Sequence, residues 1–209
     1  MKNLFLLGDS IRMGYDKSVK ATLGDRANVI FPGDNCRFAV YLLRYFHEYL
    51  GGVRGDDIDV VHWNAGLWDC LRLLGDDPLT PIDFYSYYID KLCLRIRTVC
   101  PNAKVIFATS TSVLSEKMAP YFKRYNEEIE AYNAAAVAVV EKYGFAVNDL
   151  YSLSRTLPEE AHSDNVHYYT SMGIEAFTKQ VLSHVLPALG IEEELPYREE
   201  LYVKKPIGM

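Results

Sequence analysis

Residues 1–14 read MKNLFLLGDSIRMG, an apolar run that stops at Gly8-Asp9-Ser10 before a helical pattern begins. A short β-rich run leading directly into a helix is the opening of a β-α unit. Ser10 then stands where a helix start wants a Ser or Asp cap. It stands equally where a reactive hydroxyl would be presented at the end of a strand, and the stretch alone does not separate these two roles.

The same alternation runs down the chain. Strands are predicted at 3–7, 28–31, 58–64, 104–109 and 145–148, with helical patterns at 37–50, 84–99, 121–143 and 172–189. Runs such as VIF, VVHW and KVIFAT are continuously apolar, which suits strands covered on both faces. The expected fold class is α/β, a three-layer α/β/α sandwich around a parallel sheet of about five strands. In such folds ligands bind outside the carboxyl ends of the strands. Ser10, Asn35, Asn64 to Asp69, Thr109 to Thr111 and Asp149 all fall at or just beyond predicted ends.

At 209 residues, 49% hydrophobic and 24% charged, the chain has the size and make-up of one globular domain, here taken as residues 1–190 with a tail or arm at 191–209. The tail, IEEELPYREELYVKKPIGM, suits either an arm packed on the body or a contact in a homodimer. A net charge of −6 without clustered Lys and Arg argues against nucleic acid and against anionic membranes as partners. No run of about 18 apolar residues is present. Cys36, Cys70, Cys93 and Cys100 show no CxxC or His-Cys spacing. They read as reduced thiols of a cytoplasmic protein, with no metal and no organic cofactor expected.

A serine hydroxyl is a poor nucleophile until a base takes its proton. Of the five histidines, His47 and His184 fall in helical patterns and His62 within a strand. His162 and His167 remain, in HSDNVHYYTSMG, where Asp164 precedes His167 by three residues and Thr170 or Ser171 caps the last helix. That spacing lets a carboxylate reach Nδ1 of the histidine and leaves Nε2 for a hydroxyl. Asp164 as an ordinary turn residue is the plainer alternative.

Gly-Asp-Ser closing the first strand and Asp-x-x-His preceding the last helix together resemble the SGNH, or GDSL-type, ester hydrolase superfamily, over Gly8 to about Leu189. The resemblance implies a flavodoxin-like sandwich with a triad of Ser10, His167 and Asp164. The family's second block carries a glycine whose N–H enters the oxyanion hole, and in NVIFPGDNCRF the residue at that place is Cys36. Its third block, Gly-x-Asn-Asp, matches Gly66-Leu67-Trp68-Asp69, with Trp68 at the asparagine. The expected oxyanion donors are therefore the N–H groups of Ser10 and Cys36 with the amides of Asn35 and Asn64, either of which could instead serve a turn or strand end. Asp9, Gly66, Trp68 and Tyr168 are expected at the substrate pocket.

The helical segment RYNEEIEAYNAAA repeats Tyr-Asn seven residues apart, at Tyr125-Asn126 and Tyr132-Asn133, which places both pairs on one helix face. The tyrosines suit core packing, with Arg124 and Tyr125 as candidates for the site rim. The implied activity is serine-dependent hydrolysis of a small acyl ester, with a slight lean toward a short acyl group such as acetyl on a sugar. The alternative is a binding module that keeps the fold and has lost the chemistry.

Overall fold

The computed structural model describes residues 1–201. In chain order its elements are β1 (Lys2–Leu7), α1 (Ser10–Leu23), β2 (Ala27–Ile30), α2 (Ala39–Tyr45), β3 (Val60–Trp63), β4 (Arg72–Leu73), α3 (Ile82–Val99), β5 (Lys104–Ala108), β6 (Phe122–Lys123), α4 (Asn126–Val140), β7 (Ala146–Asn148), α5 (Leu150–Thr156) and α6 (Ser171–Leu189). Five strands form one parallel sheet in the order β2-β1-β3-β5-β7, and β4 pairs with β6 as a small antiparallel flap.

The central strands are apolar throughout because both faces are covered. Leu4 to Leu7, Val60, Val61, Trp63 and Phe107 are fully enclosed. On α1 the residues turned inward are Ile11, Tyr15, Val19 and Leu23, spaced by four. Helix α1 packs on α6, while α2 packs on α3 and α3 on α4. The strand order reverses direction at β1, so the crevice outside the ends of β1 and β3 is where a ligand site is expected in such a sheet. Register makes this concrete: Leu7 pairs with Trp63, so the chain leaves both strands side by side into Gly8 and Asn64.

Helix α2 ends at Tyr45, and Glu48–Leu50 form a separate 3₁₀ turn, so the long pattern over 37–50 is two pieces. The pattern over 121–143 likewise begins with strand β6 before helix α4. The short elements β4 and α5 carried no periodic signal. The described part of the tail lies along α1: the hydroxyls of Ser18 and Thr22 each both receive the N–H of and donate to the carbonyl of one tail residue, Glu200 and Arg198 respectively. The arm is thus held on the body as far as Glu200, and residues 202–209 lie outside the described range.

Candidate active site

Ser10 is the first residue of α1, and Asp9 is its cap, with Asp9 Oδ1 accepting the Ile11 N–H at 2.9 Å. The sequence left cap and nucleophile as rival roles for Ser10, and the structure gives the cap to its neighbour. That frees the Ser10 hydroxyl, which donates to His167 Nε2 at 2.8 Å across 157 residues of chain. His167 Nδ1–H in turn donates to Asp164, 2.8 Å from Oδ2 and 2.9 Å from Oδ1.

The segment 163–170 is tightly organised around this pair. Asp164 Oδ1 also receives the N–H groups of Val166 and His167, each at 2.8 Å. Burial acts to raise the Asp164 carboxyl, but the bond to His167, the charge of its ring and those two N–H groups outweigh it and hold the carboxyl well below the usual carboxylate range. An ionised Asp164 keeps the proton on Nδ1 and the lone pair of Nε2 toward Ser10. Thr170 caps α6, its hydroxyl receiving the Gly173 N–H at 3.1 Å.

Asn64 is the asparagine packed against Gly8, two residues before Ser10. It directly follows β3, its N–H donates to the Leu7 carbonyl at 3.2 Å, and its amide lies so close to Gly8 that a Cβ there would stand 1.8 Å from Asn64 Oδ1. Gly8 has no side chain for that reason, and its φ of +153° is also one that other residues rarely adopt. Of the residues expected as oxyanion donors, Asn64 is thus the one packed against Gly8, at the end of the strand beside β1.

Several expectations for the second loop and the pocket are corrected. The Cys36 N–H is engaged by the Gly8 carbonyl at 3.1 Å and is not turned to an oxyanion. Asn35 uses its side-chain carbonyl to receive the Arg37 N–H at 2.9 Å in a turn where Arg37 holds a positive φ of 48°, a bond that engages Oδ1 and not the amide N–H groups. Asp9 is wholly buried, and burial raises its carboxyl against the opposing pull of the Ile11 N–H, Asn64, Arg124 and His167. It lies beneath the site and is not a pocket wall. Gly66 is enclosed against Ser110 and Tyr85. Tyr168 is a core residue, its hydroxyl donating to the Ser112 carbonyl at 3.1 Å and its ring packed on His162 and Phe177. Trp68 is half-buried and meets Phe38 edge to face at 5.4 Å, the two rings standing in the segments that follow β3 and β2.

Other residues that organise the loops have no motif to announce them. Buried Arg12 donates to the carbonyls of Pro32 (2.9 Å), Asp34 (2.6 Å) and Gly8 (3.4 Å), tying the loops after β1 and β2 together. Asp69 receives the N–H of Ala39, the first residue of α2, at 3.1 Å. Arg124, also buried, donates from Nε to the Leu67 carbonyl. In the repeated Tyr-Asn pairs the asparagines carry the function: Asn133 receives the Ser110 N–H and donates to its carbonyl, and Asn126 does the same for Val113, so α4 fastens the loop after β5 at two points. Tyr132 is in the core as expected, whereas Tyr125 is 42% exposed. Asp149 caps α5 and holds Thr109, away from the relay.

The overall path of the chain matches that of known enzymes. A lipase/acylhydrolase from Enterococcus faecalis superposes over 96% of this chain and 100% of its own, with a TM-score of 0.69 at 20% identity. The fold is that of the SGNH, GDSL-type, hydrolases. A GDSL-like lipase from Bacteroides thetaiotaomicron covers 90% of this chain and 89% of its own at a TM-score of 0.63 and 16% identity. The acetylxylan esterase Axe2 from Geobacillus stearothermophilus covers 91% and 95% at 0.67 and 17%. No protein-family model matches the chain, and neither does any curated protein. At these identities the SGNH likeness is one of fold. Among the described residues no helix is long and apolar enough to cross a membrane.

Proposed function

We propose that this SGNH-fold protein is a serine ester hydrolase working through an acyl-enzyme. The observation that carries the reading is the continuous relay from Ser10 Oγ through His167 to Asp164, with both hydrogen bonds at 2.8 Å. In the proposed reaction His167 Nε2 takes the Ser10 proton as Oγ attacks the ester carbonyl. The developing oxyanion is received by the Ser10 N–H and the Asn64 amide. Ser10 is suited to this because the first N–H groups of a helix have no acceptor within it and carry the positive end of the helix dipole. Collapse of the tetrahedral intermediate expels the alcohol, protonated by His167, and a water then repeats the sequence on the acyl-enzyme.

The substrate we favour is a short acyl ester, acetyl on a carbohydrate. Supporting it are the aromatic pair Trp68 and Phe38, suited to stacking on a sugar ring, and the occurrence of an acetylxylan esterase among proteins of the same fold. We place the activity in the cytoplasm, a reading supported by four cysteines that are all buried and unpaired.

Hydrolysis of p-nitrophenyl acetate, butyrate and octanoate by the wild type and by Ser10→Ala tests this. Ser10-dependent release that falls steeply with chain length is expected, together with fluorophosphonate labelling of Ser10. Full activity in Ser10→Ala would overturn the mechanism. An absence of both turnover and labelling would favour a binding module with this fold.

A further inference from the structure

His167 has a neighbour that the relay does not use. The ring of Tyr169 lies nearly parallel to the imidazole, with centroids 4.7 Å apart and planes inclined by 25°. Its phenol donates to the main-chain carbonyl of Ser10 at 2.6 Å. One side chain thus touches both the residue bearing the hydroxyl and the ring that accepts from it.

Tyr169 is itself closely held. Its N–H donates to Ser163 Oγ at 3.2 Å, and Ser163 binds the His167 carbonyl through both its N–H (2.8 Å) and its hydroxyl (3.2 Å). On the other side the ring is seated over Gly14, four residues along α1 from Ser10, where a Cβ would come within 2.8 Å of the ring edge. Gly14 is buried inside a helix, where glycine carries a cost of about 1 kcal/mol relative to alanine. Room for the Tyr169 ring is a reason to retain it.

The geometry calls for such a part. Asp164 grips the imidazole at Nδ1, along one edge, and that grip leaves the ring able to tilt about the bond. A ring stacked on its face removes the tilt, and the phenol-to-carbonyl bond ties that second ring to the start of α1. We propose that Tyr169 is a positioning residue that fixes the distance and angle between Ser10 Oγ and His167 Nε2. The proposal rests on the hydrolase reading and adds to it a residue outside the three of the relay.

The test compares Tyr169→Leu, Tyr169→Phe, Gly14→Ala and the double variant Gly14→Ala/Tyr169→Leu with the wild type and Ser10→Ala. The readouts are kcat and KM on p-nitrophenyl acetate, the rate of fluorophosphonate labelling, and the thermal midpoint. Tyr169→Leu is expected to lower kcat and the labelling rate roughly ten- to hundredfold, the scale of a small misplacement of reacting groups, with KM changed by less than about twofold. Tyr169→Phe, which keeps the stacked ring, should recover most of that loss. Gly14→Ala should lower kcat by displacing the ring and cost nothing further once Tyr169 is Leu.

Wild-type kcat and labelling in Tyr169→Leu would overturn the role, as would a Gly14→Ala loss that persists undiminished in the double variant. If Tyr169→Leu does not fold, Tyr169→Phe and Gly14→Ala decide, and full labelling in both would overturn it. Failure of the hydrolase reading has a different signature: the wild type itself would show no Ser10-dependent turnover or labelling, and the positioning role would fall with it.

Discussion

Arg12 and Asp16 form an ion pair sealed inside the protein, one helical turn apart on α1, with side chains 1% and 5% exposed. The other bonds of the two terminal guanidinium nitrogens go to loop carbonyls at 8, 32 and 34, so the pair joins the helix that carries Ser10 to the loop after β2. Removing one member of a buried pair leaves the other charge without its partner. Arg12→Met is expected to cost about 3–5 kcal/mol in urea unfolding. Arg12→Met/Asp16→Met should recover only part of this, because the three carbonyls stay unsatisfied; full recovery would show that the carbonyl bonds contribute little.

Asn64 lies against Gly8, two residues before Ser10, at the end of the neighbouring strand. Asn64→Ala is expected to reduce kcat on p-nitrophenyl acetate by about 10²–10³-fold, the usual effect of losing one oxyanion donor. Asn35→Ala, where the side chain's Oδ1 receives the Arg37 N–H in a local turn, should leave kcat within about tenfold of wild type on the same scale. Equal losses in both variants would place Asn35 in the oxyanion hole beside Asn64.

Asp164 keeps the His167 proton on Nδ1. In Asp164→Asn the amide can present its N–H₂ group to Nδ1 and reverse the tautomer, placing a hydrogen on Nε2 where Ser10 needs a lone pair. A fall in kcat of about 10²-fold or more is expected, the share usually carried by general acid-base catalysis. Unchanged kcat at neutral pH would show that Ser10 and His167 act without the carboxylate.

Asp69 provides a pH-dependent signature of the loop after β3. Burial pushes its carboxyl up to about 7, the nearby Asp9 adding to the rise while the Ala39 N–H and Thr80 oppose it. The unfolded value is about 3.9, so the folded state binds the proton more tightly, and the group's favourable contribution, full below pH 4, is lost as pH rises toward 7. Asn does not titrate and can still accept from Ala39. The stability of Asp69→Asn relative to wild type should therefore rise with pH between 4 and 7, by up to about 1.4 kcal/mol per pH unit. Urea titrations at pH 4, 5, 6 and 7 measure it, and a flat difference would mean that Asp69 is ionised throughout.

Much of the architecture was legible because its signals are local. Continuous apolar runs such as 60–63 and 104–109 suited strands covered on both faces, and the longer periodic stretches at 84–99 and 172–189 read as helices, as the structure has them. Elements too short to show a period, such as β4, β6 and α5, left no such trace.

Within the site, Ser10, Asp164 and His167 were readable as residue types at the right places in the order of strands and helices, and tertiary packing brings them together. The choice between Tyr168 and Tyr169 was not readable. The two are adjacent in an irregular segment, and which ring turns into the core and which lies on His167 depends on Ser112, Phe177 and Gly14, all distant in sequence. The same holds for the two asparagines of the Tyr-Asn pairs. Asn126 and Asn133 look like surface helix residues until the loop after β5 is placed against them.

Composition and periodicity thus specified the alternating α/β plan and the chemical types at the strand ends, since both depend on neighbours along the chain. The availability of each donor was a matter of three-dimensional packing. The Cys36 N–H is unavailable because its loop is set against the Gly8 carbonyl, and Asn64 stands against Gly8 because Trp63 pairs with Leu7. A hydrogen bond consumes a group regardless of sequence separation, so no local pattern records which backbone groups a fold leaves free.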